Sequence, residues 1–408
     1  MATAVETVTT LLTVGGLVYM LLALWGARDF EHWWRKALRN GATGSGFAPD
    51  VSILKPVKGV DARMHAGFVS HCRQQYAGRF EILFGVSSLD DPAVADIERL
   101  RADFPDCAIR LIVCPERLGT SGKVSNLIQM LRQASYGYIL INDSDIRVSP
   151  NYLTQVMGCF ASPPRQGLSG APAGIEDPKV GMVTVPYLGR TGAEGQGLTL
   201  WARLEALGIS TDFLPGVLTA RKIEGGIHFG LGSTLAVSRR ALAAAGGLEP
   251  LADYLADDYE IGVRIARAGY RVELCGETVE TTVPAYDFRG FWDHQIRWGR
   301  STRDSRRWGY VGLGITYCIP WAVLNCIASG FALWSFTLLS LVVLARVSVA
   351  LTVGVGVLRD EQVLRDLWLL PLRDFFGLMF WAWSFASHTV VWRGEHFELS
   401  NGRIARVA

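Results

Sequence analysis

The sequence predicts an α/β domain with a mostly parallel sheet, set between an N-terminal and a C-terminal group of transmembrane helices. Two observations carry this prediction. Short apolar runs typical of buried strands alternate with helix-like stretches between about residues 50 and 300, and long uncharged runs flank that region. Of the 408 residues, 50% are apolar and only 19% are charged, a balance that favours a chain partly embedded in a membrane.

The N-terminal segment, residues 1–30, is predicted to be the first transmembrane helix. Residues 8–27 carry no charge, and a helix of about 20 apolar residues crosses the hydrocarbon layer. A cleaved signal peptide is disfavoured because no Lys or Arg precedes this run. Basic residues follow the run at Arg28, Arg35, Lys36 and Arg39. The positive-inside rule therefore places the N-terminus outside and the following domain in the cytoplasm.

The C-terminal region, residues 301–395, is predicted to hold an interfacial helix and further transmembrane helices. Residues 310–357 are uncharged apart from Arg346 and are long enough for two crossings. At that depth, Arg346 either snorkels to the interface or faces the interior of a helix bundle. Residues 375–392 are just long enough for another crossing, and residues 361–373 are typical of a helix lying in the interface.

The sequence leaves open whether the chain crosses the membrane three or four times. Three C-terminal crossings would place Arg393, Arg403 and Arg406 outside, against the positive-inside rule. A cytoplasmic tail at residues 396–408 therefore requires one of these segments to be interfacial or re-entrant.

Residues 45–300 form the predicted α/β domain. Apolar strand-like runs lie at residues 51–54, 80–86, 109–113 and 138–141. Helix-like stretches lie between them at residues 66–75, 93–103 and 123–133. This alternation predicts a parallel sheet with crossover helices. Ligands bind beyond the carboxyl ends of such strands, where we expect Lys55, Asp90, Asp91, Asp143 and Asp145.

The motif Asp143-Ser144-Asp145 follows the fourth strand-like run directly. Two carboxylates on such a turn can bind Mg²⁺ or Mn²⁺, with a diphosphate completing the coordination shell. The cation would offset the charge of a departing nucleotide diphosphate. The alternative interpretation is an Asx-turn at the strand end.

Two further segments have both a structural and a functional interpretation. Asp90 and Asp91 precede Pro92 and fit the N-cap of the next helix, although either carboxylate also fits ligand binding. Lys123 ends a loop of small residues, 119–123, that can present backbone amides and an ammonium group to phosphate. This loop lacks the P-loop spacing, so an ATPase is not predicted.

The pair Asp257-Asp258 opens a helix-like stretch that ends at Gly269. Acidic residues in a first helical turn commonly complement the helix dipole. The functional interpretation makes one carboxylate a general base that takes a proton from an acceptor hydroxyl.

The segment around His294, Arg297 and Trp298 lies in an aromatic, Arg-rich stretch that fits an interfacial amphipathic helix. A guanidinium such as that of Arg297 can also grip phosphate, and the indole of Trp298 can wall a sugar or acceptor pocket. Next to a bilayer, these clusters together point to a nucleotide-sugar donor and a lipid acceptor.

Composition excludes two other classes. The net charge of +2 gives no electrostatic case for a nucleic-acid partner. The seven cysteines form no CxxC pair and have no zinc-site spacing. We therefore predict reduced, packed thiols on a cytoplasmic face.

Taken in chain order, these motifs resemble the ceramide glucosyltransferase family, the membrane-bound branch of the inverting GT-A glycosyltransferases. The resemblance covers nearly the whole chain and implies a Rossmann-like GT-A domain. It rests on the segments Lys55-Pro56-Val57-Lys58-Gly59-Val60-Asp61, Asp90-Asp91-Pro92-Ala93, Asp143-Ser144-Asp145-Ile146-Arg147, Asp258-Tyr259 and Trp392-Arg393-Gly394. The family's final motif is (Q/R)xxRW, and here His294 stands in its first position. This variant is similar to related bacterial glycosyltransferases of hopanoid biosynthesis.

The resemblance also implies a donor site. A UDP-sugar would lie over the sheet with its uracil near Lys55 and Asp91. Lys123 and Asp143 would contact the donor, and Asp143 and Asp145 would hold a divalent cation, Mg²⁺ or Mn²⁺, on the diphosphate.

For the chemistry, the resemblance implies that Asp258 deprotonates a lipid hydroxyl, which attacks the anomeric carbon in one inverting step. Arg297 and Trp298 would complete the donor and acceptor pocket, and His294 or its neighbour Gln295 would serve as the first residue of the final motif.

Three functions follow from the resemblance. The first is transfer of N-acetylglucosamine to a hopanoid polyol, and the second is transfer of glucose to ceramide. The third, a non-catalytic lipid or nucleotide-sugar binding protein, is disfavoured because binding needs no base at Asp258. The expected location is the bacterial inner membrane, as an integral protein with a cytoplasmic catalytic domain.

Overall fold

The computed structural model describes residues 2–39, 46–161, 179–192, 197–392 and 395–407. These residues form two compact units that alternate along the chain. The first, here called the sheet unit, comprises His32–Glu194 and Ile223–Thr282. The second, here called the helix unit, comprises Met1–Glu31, Gly195–Lys222 and Val283–Ala408.

The described residues contain twelve strands and fifteen α-helices. The strands are β1 (Val51–Pro56), β2 (Phe80–Val86), β3 (Ala108–Val113), β4 (Tyr138–Asn142), β5 (Val180–Thr184), β6 (Tyr187–Arg190), β7 (Thr234–Ser238), β8 (Arg271–Leu274), β9 (Val279–Thr282), β10 (Thr389–Trp392), β11 (Glu395–Ser400) and β12 (Arg403–Arg406). The helices are α1 (Ala2–Arg39), α2 (Met64–Cys72), α3 (Ala93–Asp103), α4 (Gly122–Gln133), α5 (Tyr152–Gly158), α6 (Leu200–Gly208), α7 (Leu214–Ile223), α8 (Arg239–Ala244), α9 (Asp257–Arg267), α10 (Phe288–Ser305), α11 (Arg307–Thr316), α12 (Cys318–Ala328), α13 (Leu333–Val349), α14 (Gln362–Asp366) and α15 (Leu370–Trp383).

The sheet unit is built on a seven-stranded sheet in the order β3-β2-β1-β4-β7-β5-β8. Strands β1 to β4 pair in parallel, whereas β7 runs antiparallel to both β4 and β5, and β5 pairs in parallel with β8. The predicted mostly parallel sheet is therefore confirmed. Strands β6 and β9 form a separate parallel pair.

The register of β1 and β4 positions the candidate site. Leu54 pairs with Ile141 in this parallel ladder, so Lys55, at the carboxyl end of β1, and Asp143, which follows β4, lie at the same edge of the sheet. Both strands are almost wholly buried, because helices cover both faces of such a sheet. The core on these faces includes Ile53 and Leu140, both fully buried.

Among the described residues, two helices are long and apolar enough to cross a membrane. They are Ala4–Arg39 and Leu333–Val357, the second of which continues from α13 through a π-helix at Ala350–Val357. A third crossing is reached if α11 and α12, bent by 55° at Tyr317, act as one span. Gly16 lets α1 approach α12 closely, since a Cβ there would lie 2.5 Å from Cβ of Cys318.

The expected crossing at residues 375–392 is wrong. Helix α15 ends at Trp383, and the chain continues at Thr389–Trp392 as strand β10. Strands β10, β11 and β12 form a three-stranded antiparallel sheet. Residues 389–392 are largely apolar but form a strand, so only the first part of the expected crossing at residues 375–392 is helical.

All seven cysteines are free thiols, in agreement with the sequence-based expectation, and five of them are buried.

Candidate active site

An acidic cluster lies at the carboxyl edge of the sheet. The ammonium of Lys123, in the first turn of α4, lies 2.9 Å from Oδ1 of Asp143 and 3.4 Å from Oδ2 of Asp257. Asp143 follows β4, and Asp257 opens α9 together with Asp258. The structure therefore brings Lys123 and Asp143 together, within the sheet unit, with Asp257 and Asp258, which lie more than a hundred positions further along the chain.

Asp258 has the environment of a titratable acid at neutral pH. Burial, followed by the charge of Asp257, raises its pKa to about 7 against the opposing effect of Lys123. A carboxyl with such a pKa takes up and releases protons near neutral pH, as a general base must.

The glycine-rich segment 225–233 holds the backbone beside Asp258. The amide of Gly230 donates to the carbonyl of Asp258 at 3.2 Å. A Cβ on Gly232 would lie 2.9 Å from Oδ2 of the Asp258 carboxylate, and a Cβ on Gly262 would lie 2.5 Å from the Gly230 nitrogen. The glycines therefore let this segment pack closely against the start of α9. His228, within the segment, is exposed.

Asp145 is held by the strand pair β6-β9. Its Oδ2 accepts hydrogen bonds from the hydroxyl of Thr281 and from the amide of Thr282, the latter at 3.0 Å. Burial, followed by the charge of Asp143, raises the pKa of Asp145. Positive charge near these two carboxylates is therefore favourable, and Lys123 supplies part of it.

The Asp143 and Asp145 carboxylates fit a divalent cation that phosphate oxygens also coordinate. Within the described residues, no three His, Cys, Asp or Glu side chains are grouped as a complete metal site. Mg²⁺ usually binds one or two carboxylates together with substrate phosphates. The donor set therefore matches a cation that arrives with a diphosphate.

Lys55 holds the backbone of the turn that carries Asp143 and Asp145. It is fully buried, and its ammonium donates to the main-chain carbonyl of Asp143 at 3.0 Å. Burial lowers its pKa to about 7, although the charges of Asp145 and Asp143 oppose this shift. The structure thus gives Lys55 a role in holding the turn, while its contact with a donor stays a prediction.

A buried polar network that the sequence did not reveal fixes the residue before Asp143. The amide nitrogen of Asn142 donates to Tyr152 at 3.1 Å, to the carbonyl of Ser233 at 2.8 Å and to Thr234 at 2.9 Å. Its oxygen lies 3.2 Å from Nε2 of His71, whose pKa burial lowers to about 3. A neutral histidine therefore anchors the end of β4.

Asp91 has the capping role that its sequence context allows. Oδ1 accepts from the amide of Ala93 at 3.0 Å and from the amide of Gly59 at 3.0 Å. Gly59 has a φ of +72°, a conformation that glycine adopts readily. Asp91 therefore joins the first turn of α3 to the loop after β1, and its contact with a donor stays a prediction.

The loop 119–123 does not form the expected phosphate cradle. The amide of Thr120 donates to Oδ1 of Asp253 and that of Ser121 donates to the carbonyl of Ala252, both at 2.8 Å. These two amides are already paired within the protein. The loop instead caps α4, since the Ser121 hydroxyl accepts from the amide of Val124, and it delivers Lys123 to the acidic cluster.

In the helix unit, the motif at the centre of α10 is tied to a buried acid that the sequence analysis missed. Nδ1 of His294 lies 2.9 Å from Oε1 of Glu205, and Gln295 donates to Oε2 at 2.8 Å. Glu205 lies on α6 and is 2% exposed. Burial favours its protonated form and is the largest single effect, but His294, Arg373 and Gln295 together outweigh it, so the pKa of Glu205 is lowered.

Trp298 and Arg297 lie about one turn further along α10. The Trp298 ring is 4.9 Å from the ring of His294 and 6.2 Å from that of Phe213, between centroids. Arg297 is half-buried. The place of Trp298 in a pocket wall and the ligands of both residues stay predictions.

Two arginines connect the polar contacts of α10 to the apolar helices, Arg373 on α15 and Arg346 on α13. Arg373 donates from Nη1 to Gln295 at 2.9 Å and from Nε to Asp212 at 2.7 Å. Arg346 donates from Nε to Asp374 at 2.9 Å and also contacts Asp212. Arg346 is 1% exposed, so the bundle-interior alternative is confirmed.

Part of this polar arrangement lies on a π-helix. We call the whole set the charge network, which consists of Glu205, His294, Gln295, Arg373, Asp212, Arg346 and Asp374. Asp212 lies on the π-helix Ile209–Phe213, and Arg346 donates to the carbonyl of Thr211 in the same turn at 2.9 Å. A π-turn disturbs the regular backbone pattern and often marks a functional position.

Comparison with known proteins gives a family and a fold. The model of glycosyl transferase family 21 matches residues 8–405. Ceramide glucosyltransferase 3 and ceramide glucosyltransferase 1 of Caenorhabditis elegans are 26% and 25% identical to the chain over 251 residues, 61% of its length. The alignments cover 50% and 49% of those proteins, so the chain spans about half the length of the curated relatives it matches.

A solved structure has the same fold. The mannosyltransferase PcManGT from Pyrobaculum calidifontis, in complex with GDP-Man and Mn²⁺, matches with a TM-score of 0.51 and 18% identity over 93% of this chain and 99% of that one. The predicted GT-A fold is therefore confirmed.

Proposed function

Because the chain belongs to glycosyl transferase family 21, we propose that it transfers a sugar from a UDP-sugar to a hydroxyl group of a membrane lipid. The observation that carries the proposal is the acidic cluster. Lys123 lies between Asp143 and Asp257, next to a carboxyl of Asp258 whose pKa is about 7. A diphosphate leaving group needs positive charge, and a hydroxyl nucleophile needs a base.

The donor would bind at the carboxyl edge of the sheet. Asp143 and Asp145 would hold a divalent cation, and the chemistry this cation supplies is neutralisation of charge on the departing diphosphate. Lys123 adds a fixed positive charge at the same edge. Lys55 holds the turn after β4, and Asp91 holds the loop after β1. Both residues therefore lie at the edge where the donor would bind, which supports their predicted proximity to the uracil.

Asp258 is the proposed general base. Its carboxylate takes the proton of the lipid hydroxyl as the hydroxyl oxygen bonds to the anomeric carbon. The bond from that carbon to the diphosphate oxygen breaks in the same step. One displacement inverts the anomeric centre, so an α-linked donor gives a β-linked glycolipid.

The acceptor side of the proposal rests on the helix unit. His294, Arg297 and Trp298 lie together on α10, in the unit that carries the two candidate membrane spans. A lipid acceptor from the bilayer suits this unit. We place the protein in the bacterial inner membrane with its sheet unit in the cytoplasm, in line with the basic residues that follow residue 27.

Two acceptors are candidates. The names of the C. elegans relatives favour ceramide, with glucose as the sugar. His294 at the first position of the final motif favours a hopanoid polyol, with N-acetylglucosamine as the sugar.

The test is mass spectrometry of total lipids from cells that express the wild-type chain, Asp258→Asn, or Asp103→Asn as a matched control. Asp103 is exposed at the end of α3. We expect a new hexose on ceramide or a new N-acetylhexosamine on a hopanoid with the wild type and the control. Loss of the base should reduce the product roughly 10²–10⁴-fold.

Either of two results would contradict the proposal. Full product with a folded Asp258→Asn variant would show that Asp258 is not the base. Binding of a UDP-sugar without any glycosylated lipid, in cells that contain both acceptors, would favour the non-catalytic binding protein.

A further inference from the structure

The Glu205–His294 pair has a chemistry that the transfer step described above does not use. An ionised carboxylate only accepts hydrogen bonds, and Glu205 accepts from Gln295 at 2.8 Å and contacts Nδ1 of His294 at 2.9 Å. Nδ1 of His294 therefore carries the proton. The other ring nitrogen, Nε2, is left to interact with something else.

Nε2 is placed to meet a ligand. Among the described residues, none hydrogen-bonds Nε2 of His294, and 20% of the side chain is exposed. The imidazole lies between two aromatic rings, 5.5 Å from that of Tyr286 and 4.9 Å from that of Trp298. The carboxylate and the two rings together fix the orientation of the imidazole.

The surroundings of this nitrogen suit an amphiphile. The rings that contact the imidazole are those of Tyr286 and Trp298, and Tyr286 is partly buried against the apolar core of the helix unit. A single polar atom within an aromatic surface selects a ligand that is largely apolar and carries a polar head.

We propose that Nε2 of His294 hydrogen-bonds a hydroxyl group in the head of the acceptor lipid, and that Glu205 is the positioning residue that fixes the imidazole for this contact. The inference deepens the proposed function and rests on it. It assigns the contact with the acceptor's hydroxylated head group to His294 and the orientation of that contact to Glu205.

The test uses the full chain in nanodiscs with two substrate pairs, short-chain ceramide with UDP-glucose and a hopanoid polyol with UDP-N-acetylglucosamine. His294→Phe keeps a ring between Tyr286 and Trp298 but cannot hydrogen-bond. His294→Gln keeps a hydrogen-bonding group and matches the family motif. Arg289→Gln, at an exposed position on α10, is the matched control.

For whichever pair the wild type uses, His294→Phe should raise the acceptor KM about tenfold, the effect of one lost hydrogen bond. The donor KM should stay unchanged. His294→Gln should restore most of the acceptor affinity, and Arg289→Gln should match the wild type. A general folding defect would instead lower the active fraction and leave both KM values unchanged.

The role of Glu205 is tested through His294. Glu205→Gln should raise the acceptor KM in the wild-type background and have no further effect in the His294→Phe background, because Glu205 acts through the imidazole. Additive effects of the two substitutions would refute the positioning role.

Binding of short-chain ceramide and of the hopanoid polyol, measured without donor, separates this inference from the proposed function. Sugar transfer with an unchanged acceptor KM in His294→Phe would refute the inference and keep the function. Binding that His294→Phe weakens about tenfold, without any transfer, would refute the function and keep the inference. Neither binding nor transfer of either lipid would refute both.

Discussion

Replacing Gly232 by Ala tests the base role of Asp258 without altering an ionisable group. A Cβ at this position would lie 2.9 Å from Oδ2 of Asp258. Carbon–oxygen contacts normally measure about 3.3–3.6 Å, so the carboxylate must retreat by roughly 0.5 Å. Gly232 is not among the glycines with positive φ, and Ala therefore introduces no backbone strain there.

A shift of this size matters because proton transfer depends on hydrogen-bond distance. A misplacement of about 1 Å costs on the order of 100-fold in rate, so a shift of half that size should lower kcat about tenfold. The assay is sugar transfer to the lipid by purified full-length chain, with the thermal unfolding temperature as the check on folding.

Gly137→Ala is the matched control, since a Cβ at Gly137 would meet no atom within 4 Å. We expect this variant to keep wild-type activity. A Gly232→Ala variant that is folded and fully active would refute the assignment of Asp258 as the base.

Three further predictions follow. The value of kcat/KM should rise with pH through about 7, because Asp258 acts only when deprotonated. Asp257→Asn should move the midpoint of this rise to lower pH, because it removes a charge that raises the pKa of Asp258. A pH profile with an unmoved midpoint would contradict this. Arg346→Met should lower the free energy of unfolding in detergent by about 3–5 kcal/mol, because it leaves the buried Asp374 carboxylate without its ion pair. Adding Asp374→Leu to the same chain should recover most of this loss. An Arg346→Met variant as stable as the wild type would show that the ion pair is not needed. Gly208→Ala should destabilise the chain by about 1–3 kcal/mol in the same unfolding measurement, because a Cβ there would lie 2.5 Å from Cζ of Arg373, whereas the exposed Gly197→Ala should be neutral.

The first half of the sheet could be predicted because its signals are local. Strands β1 to β4 are continuous apolar runs separated by helical stretches, and the predicted bounds of β2 and α3 agree with the structure. Strand β7 could not be found in this way. It is five residues long and inserts antiparallel between β4 and β5, and no local pattern specifies a partner almost a hundred residues away.

The acidic cluster was found because its carboxylates stand in short motifs next to strand or helix ends. The residues that hold those motifs were missed because their contacts are not local. His71 lies 71 residues from Asn142, and Arg373 lies 78 residues from Gln295. Each of these side chains has an unremarkable sequence context, and its role depends on a partner that only the fold supplies.

Glu205 did leave a signal in the sequence. It stands in the apolar segment Leu200–Gly208, and an acid at such a position is costly to bury without donors. His294 and Gln295 could be identified by resemblance, but the group that their polar atoms satisfy lies about 90 residues away, on α6. Both side chains meet the carboxylate of Glu205 there.

The charges of the network explain why the motif begins with two hydrogen-bonding residues. Two carboxylates, those of Asp212 and Asp374, share the guanidinium groups of Arg346 and Arg373, and both guanidiniums contact Asp212. Glu205 instead receives its hydrogen bonds from His294 and Gln295. Apolar residues at both positions would leave a buried carboxylate without these donors, at a cost of several kcal/mol. The variable first position of the motif therefore has a physical constraint, which is that its side chain must stabilise Glu205 and still present a polar atom to a ligand.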